Sequence, residues 1–534
     1  MESDHVRCLL VYPEFTTESF WNYRSTCELA GARYPAAPLG LITVAALLPD
    51  TWQCRLVDCN VQTLEDDAIA WADIVLTGGM IAQQRSCLQL IDRLQRLGKT
   101  VVVGGPDATS SPHLYEHADH LLLGEGELTI PQWLADLQRG APQPQYDARE
   151  GRAEMPTSPS PRFDLLKLDR YLHVGVQFAR GCPFRCEFCD IIERFGRVPR
   201  LKGADQMLAE LQSLYDLGYR GHVDFVDDNF IGNRRDLKLF LPRLRTWLEA
   251  HNWPFEFTTE ASVNLADDDE LLGMMQEVGF AAIFVGIESP DEETLRASQK
   301  SQNTRRALAD SLRKIYSYGM FVNTGYIVGF DQERGSVRRG ILQLIEASMA
   351  PVNMVGLLVA LPNTQLSRRL AVEGRLAEDF DVVPEGAGDQ CTAGLNFETA
   401  RPREEILADY TSVIRHSYHP RAYFRRVRRV GALLDCRKRR MRLPLGHHLR
   451  DLRSLVRLIL RMGVVRSYRV EFWRTLLYLG VTNPRALRSC VALVALYLHF
   501  GDFRRYLLAT LSGEQAAEGP YGAGFIAEGQ LATG

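Results

Sequence analysis

Arg180-Gly181-Cys182-Pro183-Phe184-Arg185-Cys186-Glu187-Phe188-Cys189 places three cysteines in a Cx3CxxC spacing. Iron–sulfur clusters normally take four cysteine thiolates. A compact set of three gives a 4Fe-4S cluster three protein ligands and leaves one iron open for a substrate or cofactor. A structural zinc site, or buried free thiols, is the competing reading of Cys182, Cys186 and Cys189. A zinc ribbon needs a second Cys or His pair close by, and the next cysteine along the chain is Cys391.

Around this motif, from about 170 to 380, short apolar runs alternate with helical stretches. Strands are predicted at 174–179, 222–226, 255–261, 282–285, 324–328 and 354–360. Six strands with intervening helices predict a partial (βα)6 barrel, whose chemistry lies at the C-terminal ends of its strands. Those ends carry the cysteine loop, Asp227-Asp228-Asn229-Phe230, Glu260, Gly286-Ile287-Glu288-Ser289 and Gly329-Phe330-Asp331. Asp-Asp-Asn also suits a turn or a helix N-cap. A solvated loop carboxylate is the common fate of residues such as Glu260 and Glu288, and Phe188 also reads as core packing.

The first ~150 residues carry a different set of strands, at 7–12, 54–58, 73–77, 100–103 and 120–123, the pattern of a doubly wound parallel sheet. Their turns contain Gly78-Gly79, Gly104-Gly105 and Gly124-Glu125. Ligands sit at the carboxyl ends of such strands, where glycine lets the backbone approach closely; many βα turns carry glycine pairs for no other reason than the turn. Residues 139–162 are rich in Pro, Gly, Ser, Arg and Glu and read as linker. The expected organisation is a Rossmann-like unit over 1–145, a linker over 146–168, the partial barrel over 169–400, a basic helical unit over 401–511 and a flexible tail over 512–534.

With 534 residues, 46% hydrophobic and 24% charged, the composition is that of a multidomain globular protein. The net charge of -4 hides an asymmetry: 401–510 holds 24 Lys/Arg against 7 Asp/Glu. Stretches 423–434, 449–462 and 471–479 read as basic amphipathic helices. Arg425-Arg426-Val427-Arg428-Arg429 and Arg437-Lys438-Arg439-Arg440 read as solvated faces or as an interfacial contact with anionic lipid. No RNA-reading motif is present and the rest of the chain is acidic, so no nucleic-acid partner is expected. The apolar stretch 491–500 is too short for a bilayer, which needs about 20 residues. Residues 1–7 lack the basic and apolar regions of a signal peptide, and eleven scattered cysteines fit a reducing cytoplasm.

Phe188 ahead of the third cysteine and Arg180-Gly181 ahead of the first make the Cx3CxxC stretch resemble the radical S-adenosylmethionine enzymes. The Rossmann-like unit in front, with Pro38-Leu39-Gly40-Leu41 after its first strand, resembles the cobalamin-binding domain of one part of that family. Cys-Glu-Phe-Cys-Asp-Ile-Ile (186–192), Gly-Arg-Val-Pro-Arg (196–200), Asp-Asp-Asn-Phe (227–230), Phe20-Trp21-Asn22-Tyr23 and the basic C-terminus are similar to the branch containing hopanoid C-2 methylase.

The resemblance implies a 4Fe-4S cluster on Cys182, Cys186 and Cys189 whose open iron chelates S-adenosylmethionine. It implies Phe188 beside the cluster or adenine, and Asp227, Asp228 and Asn229 at the methionine amino end. Glu260 and Glu288 would meet ribose hydroxyls or other polar groups, and Gly325 and Gly329 would lie beside adenine. Gly78, Gly79, Gly104, Gly105, Gly124 and Glu125 would border cobalamin. The family's Asp-x-His-x-x-Gly is absent, since 58–63 reads Asp-Cys-Asn-Val-Gln-Thr, so cobalamin bound without a His ligand is implied. The implied chemistry consumes two molecules of S-adenosylmethionine, one to methylate cobalamin and one to generate a 5'-deoxyadenosyl radical. The expected activity is methyl transfer to an unactivated carbon of a hydrophobic polycyclic lipid, best matched by C-2 of hopanoids. The alternatives are methylation or ring formation on a tetrapyrrole, peptide or other metabolite with the same cofactors, and a non-enzymatic membrane-associated metal-binding protein. A ferredoxin or flavodoxin is the expected electron donor, and a cytoplasmic location with peripheral contact at the inner face of the membrane is the expected setting.

Overall fold

The computed structural model describes residues 5–511, apart from 18, 305–306 and 385–387; the expected tail at 512–534 lies outside the described residues. The chain opens with β1 (Arg7–Tyr12), sends β2 (Tyr34–Ala36) into a second sheet, and builds the first sheet from β1 with β3 (Gln53–Asp58), β4 (Ile74–Gly78), β5 (Thr100–Gly104), β6 (His120–Leu123) and β7 (Gln145–Asp147). The order is β3-β1-β4-β5-β6-β7, with every pair parallel. Successive side chains in a strand point to opposite faces. Leu9, Val11, Val75, Val101 and Val103 accordingly pack into one core, and Cys8, Leu10, Ile74, Leu76 and Val102 into the other. Helices cover both faces, which is why these strands read as unbroken apolar runs.

The second sheet starts at β8 (Tyr171–Val176). A two-stranded hairpin, β9 (Ala179–Arg180) with β10 (Arg200–Leu201), then frames the cysteine loop. The sheet continues with β11 (Gly221–Phe225), β12 (Phe255–Glu260), β13 (Phe280–Glu288), β14 (Phe321–Val328) and β15 (Asn353–Leu357). Its order, β15-β14-β13-β12-β11-β8-β2, is parallel throughout. The six expected strands curl into a half-barrel. A seventh, β2, joins from the N-terminal unit through Tyr34↔Tyr171 and Ala36↔His173.

The C-terminal part folds into helices Arg403–Ser417, Pro420–Leu433, Leu445–Leu458, Arg469–Thr482 and Leu487–Leu511. Two expectations change here. The run at 425–429 is not a free basic face: Arg426 is fully buried, donates to the Ala350 carbonyl at 2.9 Å and pairs with Glu346, which also takes Arg425, while Arg428 pairs with Glu471. The apolar 491–500 stretch is part of a 25-residue helix, long and apolar enough by length and composition to cross a membrane. Two thirds of its most apolar window is buried inside the protein, with Phe500 against Phe20, Tyr23 and Tyr418.

Candidate active site

Antiparallel pairing of Arg180 with Arg200 pinches the cysteine loop at its base. Gly181 there has φ +99°, and a Cβ would lie 2.9 Å from the Gly196 carbonyl oxygen, so only glycine fits without rearrangement. The Gly181 N–H donates to Asp228 Oδ2 at 2.9 Å, and the Cys189 N–H closes a turn on the Cys186 carbonyl at 3.2 Å. Asp227 uses both carboxylate oxygens to accept from the Phe178 and Ala179 N–H groups. Asp227 and Asp228 thus hold the backbone that carries the cysteines. Burial pushes both carboxyls up, Asp228 to about 6.

Asn229 donates to Cys182 Sγ at 3.7 Å while its oxygen accepts from Ser262, and Gln302 donates to Cys186 Sγ at 3.7 Å. Burial raises the Cys182 and Cys189 thiols, so they would give up their protons only to a metal. Burial opposes the charge on Lys300, but Glu288 at 2.7 Å keeps it cationic. Glu288 therefore already has a partner. Among the described residues, no three His, Cys, Asp or Glu side chains converge tightly enough to hold a single metal ion. Three cysteines on one loop, two of whose sulfurs accept from side-chain amides, suit the thiolate set and anionic charge of a multi-iron cluster. Phe188 packs edge-on against Phe330, 5.8 Å between ring centres.

Beside this loop lies a cavity of about 1550 Å³ between the first sheet, the half-barrel and the C-terminal helices. Gly78, Gly79, Gly104, Gly105 and Gly124 all border it. They also serve each other: a Cβ on Gly78 would lie 2.3 Å from the Gly104 carbonyl oxygen. Glu125 lies at the cavity wall but is engaged, pairing with Arg180 at 2.6 Å and Arg200 at 2.8 Å, while Glu127 takes the other end of Arg180 at 2.8 Å. This buried clamp joins the glycine loops to the cysteine hairpin. Glu260 projects into the cavity, open to its interior but enclosed by protein; burial, with Asp224 and Asp228 nearby, pushes it up to about 8. Gly325 rests against Phe284, and the Gly329 N–H donates to Glu333 at 2.9 Å.

The sequence left other wall residues unremarked. The inward positions of the half-barrel include His173, His222, Asp224, Glu256, Thr258 and Asn323. Their signal is alternation: His222-Val223-Asp224 and Glu256-Phe257-Thr258 are polar at every second position. Strands buried on both faces should instead be continuously apolar.

A model of the B12 binding domain matches residues 28–134, one of the radical SAM superfamily matches 176–345, and a domain of unknown function, DUF4070, matches 364–512. A protein of Synechocystis sp. (strain ATCC 27184 / PCC 6803 / Kazusa) named an uncharacterized methyltransferase is 42% identical, over 96% of this chain and 94% of that one. The hopanoid C-2 methylase of Rhodopseudomonas palustris (strain TIE-1) is 33% identical over 88% of each chain. The cobalamin-dependent S-adenosylmethionine radical enzyme OxsB, solved with aqua-cobalamin, shares the fold at TM-score 0.60 and 15% identity over 97% of this chain and 82% of that one. TsrM from Kitasatospora setae, a radical S-adenosylmethionine methyltransferase solved with cobalamin and a [4Fe-4S] cluster, gives TM-score 0.53 at 16% identity over 70% of this chain and 76% of that one.

Proposed function

The chain belongs to the cobalamin-binding radical S-adenosylmethionine methyltransferases, in the branch that contains hopanoid C-2 methylase, and from that premise we propose that its acceptor is an unactivated carbon of a hydrophobic polycyclic lipid, best matched by C-2 of a hopanoid. The cavity supports this reading. Its lining includes an apolar share from the C-terminal helices, Leu455, Leu458, Leu487, Val491 and Leu496, together with Trp21 and Phe284, in one space with the glycine loops and Glu260.

When bound, the iron–sulfur cluster, S-adenosylmethionine and cobalamin supply the radical that removes hydrogen and the methyl group that replaces it. The residues bind, orient and shield. Cys182, Cys186 and Cys189 would hold the cluster, with Asn229 and Gln302 donating to its thiolates and Asp227 and Asp228 fixing the loop. Gly78, Gly104 and Gly124 would let a large flat ligand lie on the first sheet's loops. Glu260 stays protonated at neutral pH and offers a donor at the cavity wall. No side chain need act as a general base.

A basic, apolar surface supports peripheral contact with the membrane that would hold such a lipid. Leu449, Leu452, Val456, Leu460 and Val464 form one exposed stripe along helix Leu445–Leu458 and its continuation, between 49% and 62% exposed, and exposed Arg453, Arg457 and Arg461 flank it. Such a stripe suits an interfacial helix on anionic lipid. Ser454, Leu455 and Leu458 of the same helix line the cavity. Exposed Arg185 and Arg197 on the cysteine loop suit an acidic donor such as a ferredoxin or flavodoxin.

The test is mass spectrometry of lipids from a hopanoid-producing host that lacks its own C-2 methylase and expresses this chain or its Cys186→Ala variant. Hopanoids heavier by one methylene, with the mass in the A-ring fragment and absent from the variant, are expected. An unchanged profile from protein shown to carry cluster and cobalamin would reject the hopanoid acceptor.

A further inference from the structure

The half-barrel interior is polar where a covered parallel barrel is normally filled by Val, Ile and Leu. His222 Nε2 lies 2.8 Å from Thr258 Oγ1, Thr258 donates in turn to Asp224, and His222 Nδ1 lies 3.8 Å from Glu256. Burial alone would raise Glu256, but His222, Arg488 and Arg439 bring it down to about 2. Burial pushes His173 down to about 4, against the pull of Asp224. Arg439 arrives from the segment after helix Pro420–Leu433, bonded to Ser489 and to the Ala281 and Gly319 carbonyls. The side chains of His173, His222, Asp224, Glu256, Thr258, Arg439 and Arg488 border the cavity, toward the end away from the strands' C-termini, where helix Leu487–Leu511 also contributes Leu487, Val491 and Leu496.

Taking so many polar groups out of water is costly unless each is paired. Two are not: His173 Nδ1 and Asn323 Oδ1 are buried with no hydrogen-bond partner among the described residues. Unpaired buried groups in a native fold call for a ligand or an ordered water. Both residues line the cavity. The row mixes donors with acceptors, and Glu256 is already balanced by arginines, so an uncharged hydrogen-bonding group fits it better than an ion.

We propose that this inward row, His173, His222, Asp224, Glu256, Thr258 and Asn323, is a binding site for the hydroxylated end of the lipid acceptor. The substrate is then an amphipathic polyol, standing with its hydroxyl groups among the strand residues and its ring system toward Glu260 and the glycine loops. The inference rests on the lipid reading above and narrows it.

The experiment uses the loaded holoenzyme and two acceptors: a pentacyclic triterpene hydrocarbon, and the same ring system bearing a side-chain polyol. Binding of each acceptor is also followed without turnover by the fluorescence of Trp21 and its neighbours. The polyol should be preferred at least tenfold in kcat/KM and in affinity, about the effect of one net buried hydrogen bond. Glu256→Gln and, independently, Thr258→Val should each shrink that preference at least threefold. Equal use and equal binding of the two acceptors, or a preference unchanged in both variants, overturns the inference and leaves the lipid reading standing. Methylation of neither acceptor by protein that still cleaves S-adenosylmethionine overturns the lipid reading, and the binding comparison then decides the polar site alone.

Discussion

Replacing Arg180 with Met opens the clamp between the glycine loops and the cysteine hairpin. Arg180, Glu125 and Glu127 are 12%, 4% and 6% exposed, so the clamp sits in protein rather than water. In Arg180→Met, Glu125 keeps Arg200 at 2.8 Å, but Glu127 loses its cation and keeps neutral donors such as the Ser158 hydroxyl at 2.8 Å. Removing one partner of a buried pair costs about 3–5 kcal/mol, because the charge left behind is uncompensated. Glu127→Gln keeps the shape, leaves Arg180 with Glu125, and should cost about 1–2 kcal/mol. The double variant Arg180→Met with Glu127→Gln strands no charge at position 127, so it should fall short of the summed single costs by about 2 kcal/mol. The assay is the first urea transition of the purified apoprotein, followed by intrinsic fluorescence, with cobalamin retention on gel filtration as a functional readout. A cost below about 1 kcal/mol for Arg180→Met, with additive double-variant behaviour, would refute the clamp as the structural joint described here.

Gly78→Ala should lower hydroxocobalamin retention and stability, by roughly 1–3 kcal/mol for an overpacked contact, whereas Gly273→Ala, with nothing within 4 Å of its Cβ and no place in the cavity wall, should not; equal behaviour of the two by equilibrium dialysis would count against the close-approach argument. Glu260, raised to about 8, resists ionisation in the fold, so wild-type stability is eroded as pH rises from about 4.5 and the penalty is complete above about 8; the Tm gain from Glu260→Gln should accordingly be larger at pH 9 than at pH 5, and a pH-independent gain would contradict it. Leu452→Glu with Val456→Glu should reduce sedimentation with anionic vesicles at least fivefold, as expected when buried apolar area is replaced by repelled charge, and unchanged sedimentation would remove the stripe from the membrane contact.

Eleven of the fifteen strands among the described residues were legible in the sequence, because each is a short β-rich run ended by a turn, unbroken and apolar in the first sheet and partly alternating in the half-barrel. Strand β2 was not: Tyr34–Ala36 is three residues long, and its partner β8 lies 137 positions away in register. The clamp was equally invisible, since Glu125 and Arg180 are 55 residues apart and each reads with its own loop, Glu125 at the cobalamin edge and Arg180 ahead of the cysteines. The arginine run at 425–429 misled for the same reason: Glu346, which fixes two of its members, is about 80 residues earlier. The three cysteines were readable because cluster ligation is written locally, in spacing. The polar row was readable too, but only to someone asking why buried strands alternate.

Strand β2 also bears on how the chain must be made. Its hydrogen bonds to β8 weave a piece of the first unit into the sheet of the second. Residues translated early therefore wait for a docking edge that exists only once β8 has emerged, and each half expressed alone would leave an unpaired strand edge that favours aggregation. The two platforms are stitched rather than tethered, so the gap between them is set by the pairing of β2 with β8, like the fixed jaw of a gauge, and not by the length of the linker that runs between them.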